Sequence, residues 1–297
     1  MGNKHVLLLR SSTVAERYRG IRQYAQQHGW RLFIENNVAE PPIDWRGDGA
    51  LVAAERTTQV AAFVRSMQRR KIPIVDLSEH LSDIPLPRVT VDNAKIGQLA
   101  AHHFVGQAYR HLAFFSYGWS TVHQTRCDSF VKNGEGADTA VWAWTKTADR
   151  RVNDSREFSN WLGDLLENAP KPIGVFCYND SDAVHVVDTC RICGLRIPDD
   201  VAILGVDDES LICTSQTVPL SSIRHNFRRI GTEGSALLER IMSGERFCGT
   251  IRIPPDGITM RQSTEAFGSN NTDLVKAFAY IDGNLSRPIA CPTSQGT

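Results

Sequence analysis

The sequence predicts an α/β fold of two lobes, each a doubly wound parallel sheet with helices on both faces. Three observations predict it. Short apolar runs alternate with stretches of helical period from the N-terminus onward, the pattern of parallel strands joined by covering helices. The alternation fills two halves that look alike, with no repeat at a short fixed period. Several apolar runs end in polar side chains, which in a parallel sheet stand where the ligand crevice opens.

Length and composition agree with this. The 297 residues suffice for two lobes with their own cores, and 41% hydrophobic and 22% charged residues are ordinary for a globular protein. Lys+Arg and Asp+Glu balance at 33 each, which argues against a large nucleic-acid surface on this polypeptide. No apolar run approaches the ~18–20 residues of a membrane span. The chain runs straight into His5–Leu9, too short for a signal-peptide core, so a cytoplasmic protein is expected. Seven scattered cysteines suit reduced thiols better than a disulfide framework. Cys190 and Cys193 are a single mid-helix pair, and His102 and His103 are adjacent rather than one turn apart. Neither constellation predicts a metal site. The nucleophile-elbow, phosphate-loop and zinc-protease motifs do not occur, so neither catalysis nor a cofactor is expected.

The elements follow in order. Val6–Leu9 predicts the first strand. Ser11, Ser12 and Thr13 offer caps to a helix carrying Tyr18, Ile21, Tyr24 and Ala25, which stops near Gly29. Leu32–Ile34 and Asp48–Ala53 are strands two and three. Thr57 caps a helix with Val60, Phe63, Val64 and Met67 on one face, and Arg69-Arg70-Lys71 closes it where cations suit the dipole. Ile72–Leu77 is strand four, and Arg88–Asp92 is a strand ending in an acid. Asp92 caps a helix bearing Ile96, Leu99, Ala100 and Phe104, and its second carboxylate oxygen is a candidate for the crevice. Leu112–Tyr117 is a strand broken by Gly118. The helix after it carries Arg126, whose planar guanidinium forks onto two neighbouring hydroxyls. Val141–Trp144 alternates and puts Trp142 and Trp144 on one face. They are either platforms for the C–H face of a sugar or core side chains. Asp154 or Ser155 opens a helix with Phe158, Trp161, Leu162, Leu165 and Leu166, ended by Pro170.

Pro172 to Ile223 organises the rest. Ile173–Tyr178 is a buried strand ending at the helix-start pair Asn179-Asp180. Ala183, Val184, Val187 and Cys190 keep helical spacing to Gly194, a plausible stop. Pro198-Asp199-Asp200 is a turn, and Val201–Val206 is a second apolar strand ending at Asp207-Asp208. Asn179, Asp180 and Asp207 therefore fall where a small polar ligand sits. Beyond this stretch, Phe227, Ile230, Leu237, Leu238 and Ile241 mark a helix ending near Gly244. Thr250–Pro255 and Ile258–Thr264 are extended pieces, and 268–271 reads as a linker. The expected division is 1–117 plus 227–246 for one lobe and 118–226 plus 247–264 for the other, with three crossovers forming a hinge. Residues 265–297 are left as a linker and a remnant helix over Asp273–Ile281.

The motif N-D-x-x-A followed by G-x-x-I-P-D-D-V-A-I-x-G-x-D-D resembles the effector domains of lactose-repressor-type regulators and their periplasmic sugar-binding relatives. The resemblance covers nearly all of the chain to Thr264 and implies the two-lobed periplasmic-binding-protein-like fold of type I. It also implies sugar-hydroxyl contacts from Asp92, Arg126, Asn179 and Asp207, an aromatic at the cleft from Phe227, and stacking by Trp142 or Trp144. The tail I-P-P-D-G-I-T-M-R-Q-S-T-E, then D-L-V-K-A-F-A-Y-I-D-G-N-L, resembles xylose-operon regulators of the AraC/XylS family. That implies a pentose ligand, D-xylose first, a homodimer, and operator DNA bound through a C-terminal helix-turn-helix domain. This chain gives only Ser286–Thr297 after the first matching helix, so DNA reading is not expected of the polypeptide itself. A transport-type solute-binding protein, or a receptor for another small polar ligand, is the alternative.

Overall fold

The computed structural model describes residues 3–11, 14–145 and 155–265. The chain runs β1 (Lys4–Arg10), α1 (Ala15–Gln27), β2 (Trp30–Glu35), β3 (Gly49–Ala53), α2 (Thr58–Arg69), β4 (Ile74–Asp76) and β5 (Arg88–Val91). It continues through α3 (Asn93–Gly106), β6 (His111–Tyr117), α4 (Thr121–Asn133), β7 (Asp138–Trp144), α5 (Ser155–Asn168), β8 (Ile173–Cys177) and α6 (Asp180–Cys193). Last come β9 (Val201–Val206), α7 (Ser210–Ser215), β10 (Ser221–Arg224), α8 (Phe227–Met242), β11 (Thr250–Ile253), β12 (Gly257–Thr259) and a 3₁₀ turn, Gln262–Thr264.

Two sheets form, ordered β11-β5-β4-β3-β1-β2 and β12-β10-β9-β8-β6-β7. Their pairings are parallel except for β12, which runs antiparallel to β10. Strands buried on both faces read as unbroken apolar runs. In β1, Val6 and Leu8 pack in a core with Ile21 of α1 and Leu237 of α8, while Leu7 and Leu9 pack with Phe63 and Val64 of α2. In β8, Val175 and Cys177 face a core with Leu162 and Val186, and Phe176 faces one with Phe104 and Phe130. Period-two alternation thus splits each lobe into two cores.

Part of the predicted punctuation is present, whereas α1 begins after Val14 with no side-chain cap bond, and Ser11 Oγ accepts instead from the Glu55 amide. Thr57, Asp92 and Asn179 accept from the amides of Val60, Lys95 and Asp182 at 3.1, 3.0 and 2.7 Å, the N-cap bond. Gly194 ends α6 with φ +70°, where a side chain would be strained. Two expected assignments are corrected. His111–Tyr117 pairs with Asp138–Trp144 and Ile173–Cys177, so it belongs to the second sheet, and α3 packs there against α4. Thr250–Ile253 pairs with β5 and completes the first sheet, because the chain crosses back before β12 rather than before β11. α8 packs against α1 of the first lobe. α7 was not anticipated. Ser12, Thr13, Asp154, the linker and the remnant helix lie outside the described residues.

The chain crosses between the sheets after β5, after β10 and after β11. The crossings are tied together. The Asp92 amide donates to Ile253 O at 2.8 Å, the Asp256 amide to Arg224 O at 2.9 Å, and Asn226 Nδ2 to Asp256 Oδ1 at 3.0 Å.

Candidate ligand-binding cleft

The carboxyl ends of β4, β5, β8, β9 and β10 and the first turn of α1 surround one cavity of about 160 Å³. Cavities at such strand ends are where parallel α/β sheets take ligands. The first lobe supplies Arg17, Ser78, Glu79, Thr90, Phe227 and Ile230. The second supplies Arg126, Tyr178, Asp207 and His225.

Arg126 is the anchor of the second lobe. It reaches the site because α3 and α4 touch: a Cβ at Gly97 would stand 2.3 Å from Arg126 O. The guanidinium is buried, with Nε donating to Asn93 Oδ1 at 2.8 Å and Nη1 donating to Tyr178 O. Its carbon lies 4.6 Å from the centre of the Tyr178 ring, a cation–π distance. His123 stacks on the same ring, with centroids 3.6 Å apart. Burial pulls the His123 pKa down to about 4, so this imidazole is neutral near pH 7.

Asn93 Nδ2 donates to Glu79 Oε2 at 2.9 Å across the lobes, and His225 Nε2 lies 3.0 Å from Asp207 Oδ1. Burial raises the Glu79 pKa, against the lowering pull of Arg252, the Asn93 hydrogen bond, Arg88 and Arg126. Burial also lowers the His225 pKa, opposed by Asp207. Asp207 holds φ +107°, a backbone state that costs a non-glycine residue on the order of 1–3 kcal/mol. Arg17 is brought down to about 10, chiefly by burial, and lies over the Phe227 ring at 5.0 Å. Two cationic and two carboxylate side chains thus line the cavity beside the Phe227 and Tyr178 rings. Such a wall suits a neutral, hydroxyl-rich molecule with one apolar face.

Of the residues singled out from sequence, Arg126, Asp207 and Phe227 line this cavity. Asp92 and Asn179 do not line it: each is a helix cap with an oxygen already committed to a backbone amide, and Asp92 borders a separate surface groove with Lys95, Gln98 and Asp128. Asp180 lies behind it, buried, accepting from Ser222 Oγ at 2.6 Å and the Glu209 amide at 2.8 Å. Gly205 makes room for that carboxylate, because a Cβ there would stand 2.2 Å from Asp180 Oδ1. The stacking role expected for Trp142 or Trp144 is corrected. Both are buried in one core with Phe158 and Leu162, because β7 is an edge strand whose inward face meets α5. Trp142 borders a separate surface groove of about 550 Å³ with Trp161 and Ile173, at the amino ends of the strands.

Sequence reading missed Arg17, Glu79, Asn93, Tyr178 and His225. Asn93 and Tyr178 each adjoin a residue that was chosen, and a one-residue shift in the strand end decides which side chain faces in. Arg17 and Glu79 come from a helix and a loop with no motif around them.

The family model for the periplasmic binding protein-like domain matches residues 101–264, more than half of the chain. The chain belongs to this family. Among curated proteins, the xylose operon regulatory protein of Escherichia coli (strain K12) is 25% identical over 286 residues, 91% of this chain and 71% of the relative. The one from Haemophilus influenzae is 23% identical over 295 residues, covering 94% and 74%. Among solved structures, the "structure of xylose-binding transcription activator xylR" superposes with TM-score 0.73 at 23% identity, covering 98% of this chain and 77% of that one. The lac repressor dimer bound to operator and an anti-inducer gives 0.69 at 17% identity, covering 89% and 95%. These likenesses establish the fold of a family member. Among the described residues, no helix is long and apolar enough to cross a membrane.

Proposed function

We propose that this chain is the sugar-sensing effector domain of a transcription regulator, and that it binds one monosaccharide, a pentose, between its lobes. The observation that carries the reading is the convergence of Arg126, Asp207, Arg17 and Phe227 from both lobes on a single cavity. Paired hydroxyls are gripped by planar two-point donors and acceptors, and Arg and Asp supply both. The curated relatives named as xylose operon regulators favour D-xylose as the first ligand to test. On the same reading Asp92 and Asn179 reach the sugar with the valences their caps leave free, and Asp180 holds the strand end behind them.

Each lobe moves as a body about the three crossings, and sugar shifts the balance toward the closed form by its higher affinity for it. The AraC/XylS assignment, a cytoplasmic homodimer, and operator contact through a C-terminal helix-turn-helix domain complete the proposal. A solute-binding protein for transport would use the same cleft, but the relatives named as regulators favour sensing. Thermal-shift screening against D-xylose, L-arabinose, D-ribose and D-glucose tests the reading. A ligand at a hundredfold excess over Kd stabilises by about 2.7 kcal/mol. A rise in Tm with at least one pentose is expected, and no shift with any of the four would refute it.

A further inference from the structure

Two side chains that line the cavity each hold a buried polar atom with no hydrogen-bond partner: Arg17 Nε, a donor, and His225 Nδ1. The chemistry of the second can be read from its ring. His225 Nε2 faces Asp207 Oδ1 at 3.0 Å and therefore carries the proton. Arg126 Nη2, 3.5 Å from the same nitrogen, is itself a donor and does not serve as its partner. Nδ1 of the neutral ring is then a bare lone pair on a residue only 7% exposed. Both orphans flank one aromatic ring. The Arg17 guanidinium lies 5.0 Å and the His225 ring 4.9 Å from the centre of Phe227.

Resting on the sugar-binding reading, we propose that Arg17 and His225 form a hydroxyl-reading subsite, which requires the ligand to present both a donor and an acceptor beside Phe227. A hydroxyl group carries both functions: its O–H donates to His225 Nδ1, and an oxygen lone pair accepts from Arg17 Nε. A carboxylate has no proton for Nδ1, and an ammonium has no lone pair for Arg17. A deoxy carbon satisfies neither and leaves a buried polar group unpaired, a penalty that discriminates strongly. The subsite therefore selects neutral aldoses over the matching aldonic acids, amino sugars and deoxy sugars.

The test is a cycle between protein and ligand. D-Xylose, L-arabinose, D-ribose and D-glucose are titrated first, and the monodeoxy derivatives of the tightest binder follow, against wild type and His225→Leu. In wild type, one deoxy derivative is expected to bind about tenfold or more weaker than its parent. In His225→Leu, parent and that derivative are expected to bind alike. Equal losses for every deoxy position in both proteins would overturn the proposal. A second readout avoids the variant: the ¹⁵N resonance of His225 Nδ1 in wild type moves upfield when it accepts the sugar hydroxyl. Should none of the four sugars bind, the sugar-sensing reading fails on its own, and molar glycerol serves as the minimal hydroxyl probe. An upfield shift with glycerol supports the subsite, and an unmoved Nδ1 resonance overturns it.

Discussion

His225 Nε2 stands 3.0 Å from Asp207 Oδ1, so a buried imidazole fixes the orientation of a carboxylate that is itself 39% exposed at the cleft. The pair joins two strand ends, β9 and β10, in one functional group. On the proposed reading, Asp207 is thereby preorganised to accept from a sugar hydroxyl.

The carboxylate and the backbone state of Asp207 are separable. Asp207→Gly removes the acceptor but suits φ +107°. Sugar binding is expected to weaken by at least about 100-fold, because the carboxylate accepts two sugar hydroxyl bonds and hydrogen bonds to a charged group contribute roughly 1.5–3 kcal/mol each. Asp207→Ala should bind as poorly and in addition melt lower, by the strain of about 1–3 kcal/mol that glycine escapes. Titration and thermal melts on both variants check this. An unchanged Kd in folded Asp207→Gly would assign the residue to the turn alone.

Arg126 makes a directional demand that lysine cannot meet. Its Nε and Nη1 donate to Asn93 and Tyr178 O while the plane covers the Tyr178 ring. Arg126→Lys keeps the charge but offers a compact ammonium in place of a fork. The variant is expected to lose about 1.5–3 kcal/mol of stability, the value of one hydrogen bond to a charged group, together with most of the sugar affinity. Denaturant unfolding with the m-value held constant measures the first quantity.

Asp180 gives a pH signature with a definite sign. Burial pushes its pKa up to about 7 despite the Ser222 and Glu209 hydrogen bonds, and that of Asp182 up to about 6. An acid whose folded pKa lies above its unfolded value binds more protons when native between the two. Its contribution to stability is full below about pH 4 and is lost as pH rises toward 7. Asp180→Asn removes this dependence. Its Tm is expected to rise relative to wild type between pH 5 and pH 7.5, because the variant carries no buried charge. A constant offset across that window would contradict the assignment.

Trp144 is almost fully buried at 1% exposure and packs against Phe158 and Trp161 at 5.2 and 5.1 Å. Trp144→Ala is expected to cost about 3–5 kcal/mol of stability while leaving the Kd of the folded protein within about twofold. A selective loss of affinity without loss of stability would return the indole to the cleft.

The two-lobed alternation was legible because strands buried on both faces write themselves as apolar runs, and caps such as Thr57, Asn179 and Gly194 mark their neighbours. The site was less legible. Arg126, Asp207 and Phe227 carried the signal of position or of resemblance. Asp92 and Asn179 were chosen at strand ends, but a cap and a ligand contact look the same in sequence. His225 and Arg17 act through unmet valences, which exist only once β10 and α1 are brought to one cavity. The two tryptophans of β7 misled because alternation shows that they share a face and not which face is inward.

Isothermal titration of the wild-type chain and of Asp207→Gly with D-xylose, L-arabinose, D-ribose and D-glucose tests the central claim most directly. The account predicts a saturable one-to-one isotherm for wild type with at least one pentose, weakened by at least about 100-fold in the variant. Absence of heat with all four sugars in wild type, or equal affinity in the two proteins, would contradict it.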